Sequence, residues 1–342
     1  MRFPCIPGAA VRALLAAAAV GALAACSGPS AAPPSSLPLR QVQDLALPGG
    51  ATRLDYQTID PRARLLYIAH LGDGTVHAVD LDQPAVAGTV TGTASVHGVM
   101  VAPDRHTLLA ASSGSNEVAL IDTATLKETG RVKSGNTPDG IAYDPARGKA
   151  YVSNEHDHTV TVVDLAAGKV LAPIDIGGEP GNVIYDPTGG KVYVNEQSHG
   201  ELLTIDPATD TVTDRINVGD GCAGNHGLYI DGAQQLAFIA CEDNARLLVL
   251  DVKTRQVTAR FDAGATPDVL AYDQGLHRLY VAAEDGTVSV FDEKDRSLAQ
   301  MASAKLAEHA HTVAVDQATH RVYFPLQDID GHPVLRIMEP TP

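Results

Sequence analysis

Apolar and polar residues alternate in short runs along most of this chain, and nowhere do they settle into the spacing of an amphipathic helix. Runs such as LLYIA, KAYVS, KVYVN, LAFIA, RLYVA and RVYFP are rich in β-branched and aromatic residues and are bounded by Asp, Pro, Gly and Asn. That pattern predicts strands joined by tight turns.

The runs recur with a period. A turn segment appears as TIDP at Asp60, MVAP at Ala102, AYDP at Asp144, IYDP at Asp186, YIDG at Asp231, AYDQ at Asp273 and AVDQ at Asp316, spaced 42 to 45 residues apart. Each segment leads into a second run, then a third that closes on Asp80, Asp122, Asp164, Asp206, Asp251 or Asp292, then a fourth. Four strands in about 42 residues is the size of one β-propeller blade. A lone blade cannot cover both faces of its sheet, so seven such units predict an all-β, seven-bladed β-propeller in which neighbours supply each other's core. The last unit stops after Val334–Met338 without an outer strand, while residues 39–50 read as an outer strand without a unit. The N-terminal run should therefore close the last blade and remove its exposed edge. The repeat is unbroken, and residues 39–342 form one domain by this reading.

Within the second runs, Tyr151-Val152-Ser153-Asn154 and Tyr193-Val194-Asn195-Glu196 resemble the YVTN repeat. The chain as a whole resembles the YncE-like, YVTN-repeat β-propellers, which group with lactonase-like propellers by fold. The resemblance implies the architecture and leaves the function open, since propellers host many chemistries and many binding roles. Lactonase-like relatives hold a divalent cation with channel carboxylates and amides. This chain has Asn154, Asn182, Asn195 and Asn225 nearby, but its ligand set does not map blade by blade, so no catalytic residue is carried over. Trp is absent altogether, which disfavours WD40 repeats.

The first residues read as an address. Arg2 and Arg12 precede a short apolar stretch, residues 13–25, ending in Leu23-Ala24-Ala25-Cys26. That ending resembles the lipobox of bacterial lipoproteins, which implies removal of residues 1–25 as a signal peptide and lipidation of Cys26. A plain secretory signal is the alternative. Residues 26–38, rich in Ser, Pro and Ala, read as a flexible tether. The expected location is a bacterial cell envelope, lipid-anchored and facing the periplasm or exterior, with outer-membrane sorting in a two-membraned cell.

Charge and composition narrow the partners. The 342 residues carry 41 acidic against 25 basic side chains, a net −16, with five Phe. Nucleic acid is disfavoured on charge and on the scarcity of stacking aromatics. No nucleotide-binding loop, serine-hydrolase elbow or zinc-protease motif is present, and Cys222-Ala-Gly-Asn-His226 has the wrong spacing for haem attachment. Neither a haem nor a nucleotide cofactor is expected. Cys222 and Cys241 are expected to pair in an oxidising compartment, closing a loop of about 20 residues. The alternative is a thiolate metal ligand or redox pair.

Candidate chemistry lies at one mouth of the channel. In a blade, the start of the innermost strand and the end of the second share one face of the disc. Five residues before each turn segment stand Asp55, His97, Asp139, Gly181, His226, Asp268 and His311. Taken singly, each Asp reads equally as a turn former and each His as a solvated side chain. Taken together they predict a His/Asp-lined mouth suited to a transition metal such as Zn, Cu, Ni or Fe, or to a small ligand. His97, His226 and His311 are the expected donors, with Asp55, Asp139 and Asp268 as ligands or orienting groups. The ends of the second strands add His70, Asn154, Glu155, Glu196, Glu242 and Glu284 as a surrounding set. Loops on the same face carry His156, His158, His199, His309 and His332, leaving His77, His106, His277 and His320 elsewhere. The leading expectation is a binding propeller for a metal ion or small ligand. Two alternatives are a metal-dependent, lactonase-like hydrolase or lyase with a carboxylate such as Glu155 as base, and a protein-interaction scaffold.

Overall fold

The computed structural model describes residues 36–219 and 221–341; the expected signal peptide, Cys26 and most of the expected tether lie outside the described residues. Seven antiparallel sheets of four strands each, with one outer strand split in two, follow one another along the chain. Blade 1 opens at Gln57–Asp60, and blades 2 to 6 open at Val96–Ala102, Pro138–Asp144, Pro180–Asp186, Asn225–Asp231 and Pro267–Asp273. Blade 7 opens with the short strand Ala314–Val315 and continues through Val322–Ile329 and His332–Pro340. Its fourth strand is Leu39–Ala46, antiparallel to His332–Pro340, so the two ends of the domain meet in one sheet. Arg336 clamps that seam by donating from Nε and Nη2 to the two carboxylate oxygens of Asp44, at 2.9 and 2.7 Å.

The core is a ring of interfaces between sheets. Tyr67, Ala69 and Val76 of blade 1 pack on Val99, Val101 and Leu108 of blade 2. The same sharing recurs at the other interfaces, ending with Leu66 and Ile68 of blade 1 against Tyr323 and Leu335 of blade 7. This is why the second and third strands of each blade are buried on both faces while the fourth strands alternate between exposed and covered.

The repeated acids are turn builders. Asp60, Asp144, Asp186 and Asp273 each accept backbone N–H groups two and three residues ahead, at 2.8 to 3.3 Å. Asp80 and Asp164 do the same after the third strands. Four residues past each turn anchor the chain enters the left-handed region, at Arg64, His106, Gly148, Gly190, Gln235, His277 and His320. A short polar side chain at the anchor favours these hairpins, and at Ala102 the backbone alone closes the turn, Arg105 N donating to the Ala102 carbonyl at 3.0 Å. Much of the net negative charge is thus spent on turns.

Removing residues 36–46 should expose the edge of His332–Pro340 and open the ring seam. The shortened chain is expected to melt on the order of 10 °C lower, followed by circular dichroism; an unchanged melt would mean the N-terminal strand adds nothing to closure.

Candidate functional site

A repeated irregularity aims the ring residues. Val96 pairs with Ser112 and Val99 with Ala110, so two residues of the first strand oppose one of the second, and similar slips occur at Pro138/Ile141, Pro180/Val183, Asn225/Leu228 and Pro267/Val269. His97, Asp139, Gly181, His226 and Asp268 fall inside these bulges. A bulge turns a side chain out of the ladder. Asp55, His97, Asp139, His226 and Asp268 line one cavity of about 200 Å³ at the mouth. The bulges also need glycine: a Cβ on Gly227 would come within 2.0 Å of the Asp268 carbonyl oxygen, and one on Gly181 within 2.8 Å of His226 Cα. A bare Gly181 in blade 4 lets the backbone of blade 5 at Asn225 and His226 approach closely.

His226 is the hub. Its Nδ1 lies 3.1 Å from Glu242 Oε1 and 3.3 Å from Asp268 Oδ1, and its Nε2 lies 3.7 Å from Asp139 Oδ2 and 4.0 Å from Glu155 Oε1. Asp268 Oδ2 accepts a hydrogen bond from His311 Nδ1 at 3.0 Å, and the same nitrogen is 3.1 Å from Glu284 Oε1. Arg53 pairs with Glu284 at 2.7 Å and lies 3.9 Å from Asp55, while the Tyr56 hydroxyl donates to Asp139 at 3.2 Å. Among the described residues, three groups have ligand atoms close enough to share an ion: Asp55, Asp268 and His311; Asp139, Glu155 and His226; and His226, Glu242 and Asp268.

The charges do not balance. Among the described residues, seven carboxyl groups line the cavity, adding Glu179 to those above, against Arg53, His226 and the adjoining His311. Burial opposes a charge on His226, but Asp139, Asp268 and Glu242 outweigh it and hold the ring protonated well above its usual range. His311 is likewise buried, and Asp268 with Glu284 pushes it up to about 10. Burial opposes ionisation of Asp268 as well, yet the two imidazoles hold it well below the ordinary carboxylate range. Burial pushes Asp55 up to about 6 against the pull of His311 and Arg53. Burial, then Asp139, pushes Glu155 up to about 8. Asp55 is 1% exposed and Asp268 3%, yet neither oxygen of Asp55, nor Asp268 Oδ1, has a hydrogen-bond partner among the described residues. Buried acceptors without partners are costly.

His311 Nε2 lies 2.7 Å from the Leu54 carbonyl oxygen and its Nδ1 faces Asp268 and Glu284, and the residue stands with Asp55 and Asp268 in one of the ion-holding groups. Some sequence expectations need correction. His97 lines the cavity, but its Nδ1 is taken by the Ser95 carbonyl and the Ser113 hydroxyl, and it joins none of the three ion-holding groups. The surrounding set mixed two registers. Glu155, Glu242 and Glu284 follow the last residue of their second strands and face the cavity. His70, Asn154 and Glu196 are those last residues and are fully buried outside it. His70 contacts His77 at 3.1 Å, Asn154 donates to Thr161 at 2.9 Å, and Glu196 accepts from His199 N at 3.0 Å. One residue along a strand is the opposite face. His158 and His309 sit at φ near +55°, a region where His is enriched among non-glycine residues, so turn conformation accounts for a His at these two positions. Arg53, Tyr56, Glu179 and Gln197 were missed, although Arg53 and Glu179 stand two residues before ring positions.

Cys222 and Cys241 are joined by a disulfide, with Cα atoms 5.2 Å apart. Cys241 pairs across the ladder with Asn225, the neighbour of His226, and precedes Glu242. The bond therefore ties together the two chain segments that deliver the hub and one of its carboxylates.

No protein-family model and no curated protein matches this chain. Among solved structures, it is similar to Kuenenia stuttgartiensis hydrazine synthase, at 17% identity and a TM-score of 0.70, over 82% of this chain and 94% of that one. It is also similar to U3-55K, at 8% identity and a TM-score of 0.73, over 86% and 98% of the two chains. At these identities the likeness is one of fold.

The unfolded chain releases the His311 proton near its ordinary 6.5, while the folded chain keeps it up to about 10. The ring's contribution is therefore complete below pH 6.5 and is lost as pH rises through 10. With a chelator present, the melting temperature should fall by on the order of 5 °C between pH 7 and 10, and His311→Gln should flatten that slope in a pH series of melts. An equal slope in the variant would show that the Asp268–His311–Glu284 cluster, with Arg53 and Asp55 beside it, is not its source.

Proposed function

We propose that this chain is an envelope-anchored propeller, held by lipid at Cys26, whose channel mouth binds a divalent transition metal ion. One observation carries the reading: buried carboxylate oxygens of Asp55 and Asp268, without hydrogen-bond partners, sit in a cavity whose carboxyl groups outnumber its cations. A cation entering there would supply the missing partner and offset the surplus charge. His226 Nδ1, Glu242 Oε1 and Asp268 Oδ1 form the best-placed ligand set, one imidazole and two carboxylates, a mixture that favours zinc-like ions over calcium. His311 would serve by fixing Asp268 through its other oxygen, and Arg53 by fixing Glu284.

The ion would displace the proton on Nδ1, so affinity should weaken as pH falls. In zinc titration calorimetry at constant pH, His226→Ala and Asp268→Asn are expected to weaken binding by at least about 10–100-fold, while His97→Ala changes it little. Equal affinity across all four proteins would contradict the reading. Reducing Cys222–Cys241 frees the segments carrying His226 and Glu242, so zinc should bind more weakly to the reduced protein in the same experiment; unchanged affinity would mean the disulfide does not position them.

A further inference from the structure

Both nitrogens of the central imidazole face carboxylate pairs, and the two pairs share no residue. Glu242 and Asp268 stand before Nδ1; Asp139 and Glu155 stand before Nε2. His226 is 8% exposed, and its Nδ1 has no aligned hydrogen-bond acceptor among the described residues although two carboxylates lie within 3.3 Å. Each ring nitrogen carries at most one N–H and faces two carboxylates, so pairing with the protonated ring meets only part of this crowding. We propose that His226 bridges two divalent transition metal ions, one on each ring nitrogen, with Glu242 and Asp268 completing the first site and Asp139 and Glu155 the second.

The inference rests on the reading of the mouth as a metal site and extends it. With metal–ligand bonds of about 2.0–2.1 Å, the separations around Nδ1 correspond to angles at the ion of roughly 100°. Those around Nε2 correspond to roughly 130–155° at the same bond lengths, so the second site closes by drawing Asp139 and Glu155 inward. The Nδ1 site fills first. Glu155 opens a short turn at the end of its strand and is part-exposed, which leaves it free to move, whereas Asp139 is held by Tyr56. The balance is simple: each entering ion forms a bond to one ring nitrogen and releases that nitrogen's proton to solvent. The imidazolium becomes a bridging imidazolate, and no electrons are transferred.

Copper(II) sulfate is the probe, added to the full chain after metal removal, with bound copper measured by elemental analysis and electron paramagnetic resonance recorded at low temperature. The signal is expected to rise to one spin per chain at one bound copper. It should then be largely lost as the second binds, because two copper ions joined through an imidazolate couple antiferromagnetically. Glu155→Gln should hold a single copper with its full signal, and His226→Ala should hold none at the mouth. Saturation at one copper, or two coppers with undiminished intensity, would overturn the bridge while leaving the single-metal reading intact. No bound copper in the wild-type chain would overturn both.

Discussion

Everything at the mouth follows from one electrostatic constraint: the ring positions of several blades bring carboxyl groups together faster than the fold can supply cations to meet them. Two imidazoles and Arg53 absorb part of that charge. The remainder appears as raised proton affinity at Asp55 and Glu155 and as buried oxygens without partners. Such an arrangement costs stability in the folded protein, and natural sequences keep costly polar clusters chiefly where function needs them. A bound cation is the simplest chemical complement to it.

The architecture makes the cluster achievable. A propeller delivers one side chain per blade to a common axis, and each bulge lifts that side chain out of its ladder without disturbing the interfaces packed outside it. Glycine at 181 and 227 lets neighbouring backbones approach closely enough for residues from blades 3, 5 and 6 to meet at His226. The seam formed by Leu39–Ala46 and the Cys222–Cys241 bond then hold the ring and the hub in place.

The fold was legible because turn chemistry repeats: an Asp at six of the seven anchors and a left-handed exit four residues after each anchor mark the hairpins whatever the strands contain. The ring itself was legible by counting back from those anchors. Legibility ended where the period-two alternation had to be known to a single residue, which is why His70, Asn154 and Glu196 were grouped with Glu155, Glu242 and Glu284. It ended again where contacts decide a role. Nothing in the sequence shows that His311 Nε2 faces the Leu54 carbonyl or that its Nδ1 lies beside Asp268 and Glu284. Gly181 looks like a gap in the ring, yet its lack of a side chain is what lets the backbone at His226 come close.

The most direct test of a cation at this mouth is anomalous scattering at the zinc edge from crystals grown with zinc. A peak is expected about 2.1 Å from His226 Nδ1, between Glu242 and Asp268. A mouth without a peak, with zinc found only on exposed His or Asp elsewhere, would contradict it.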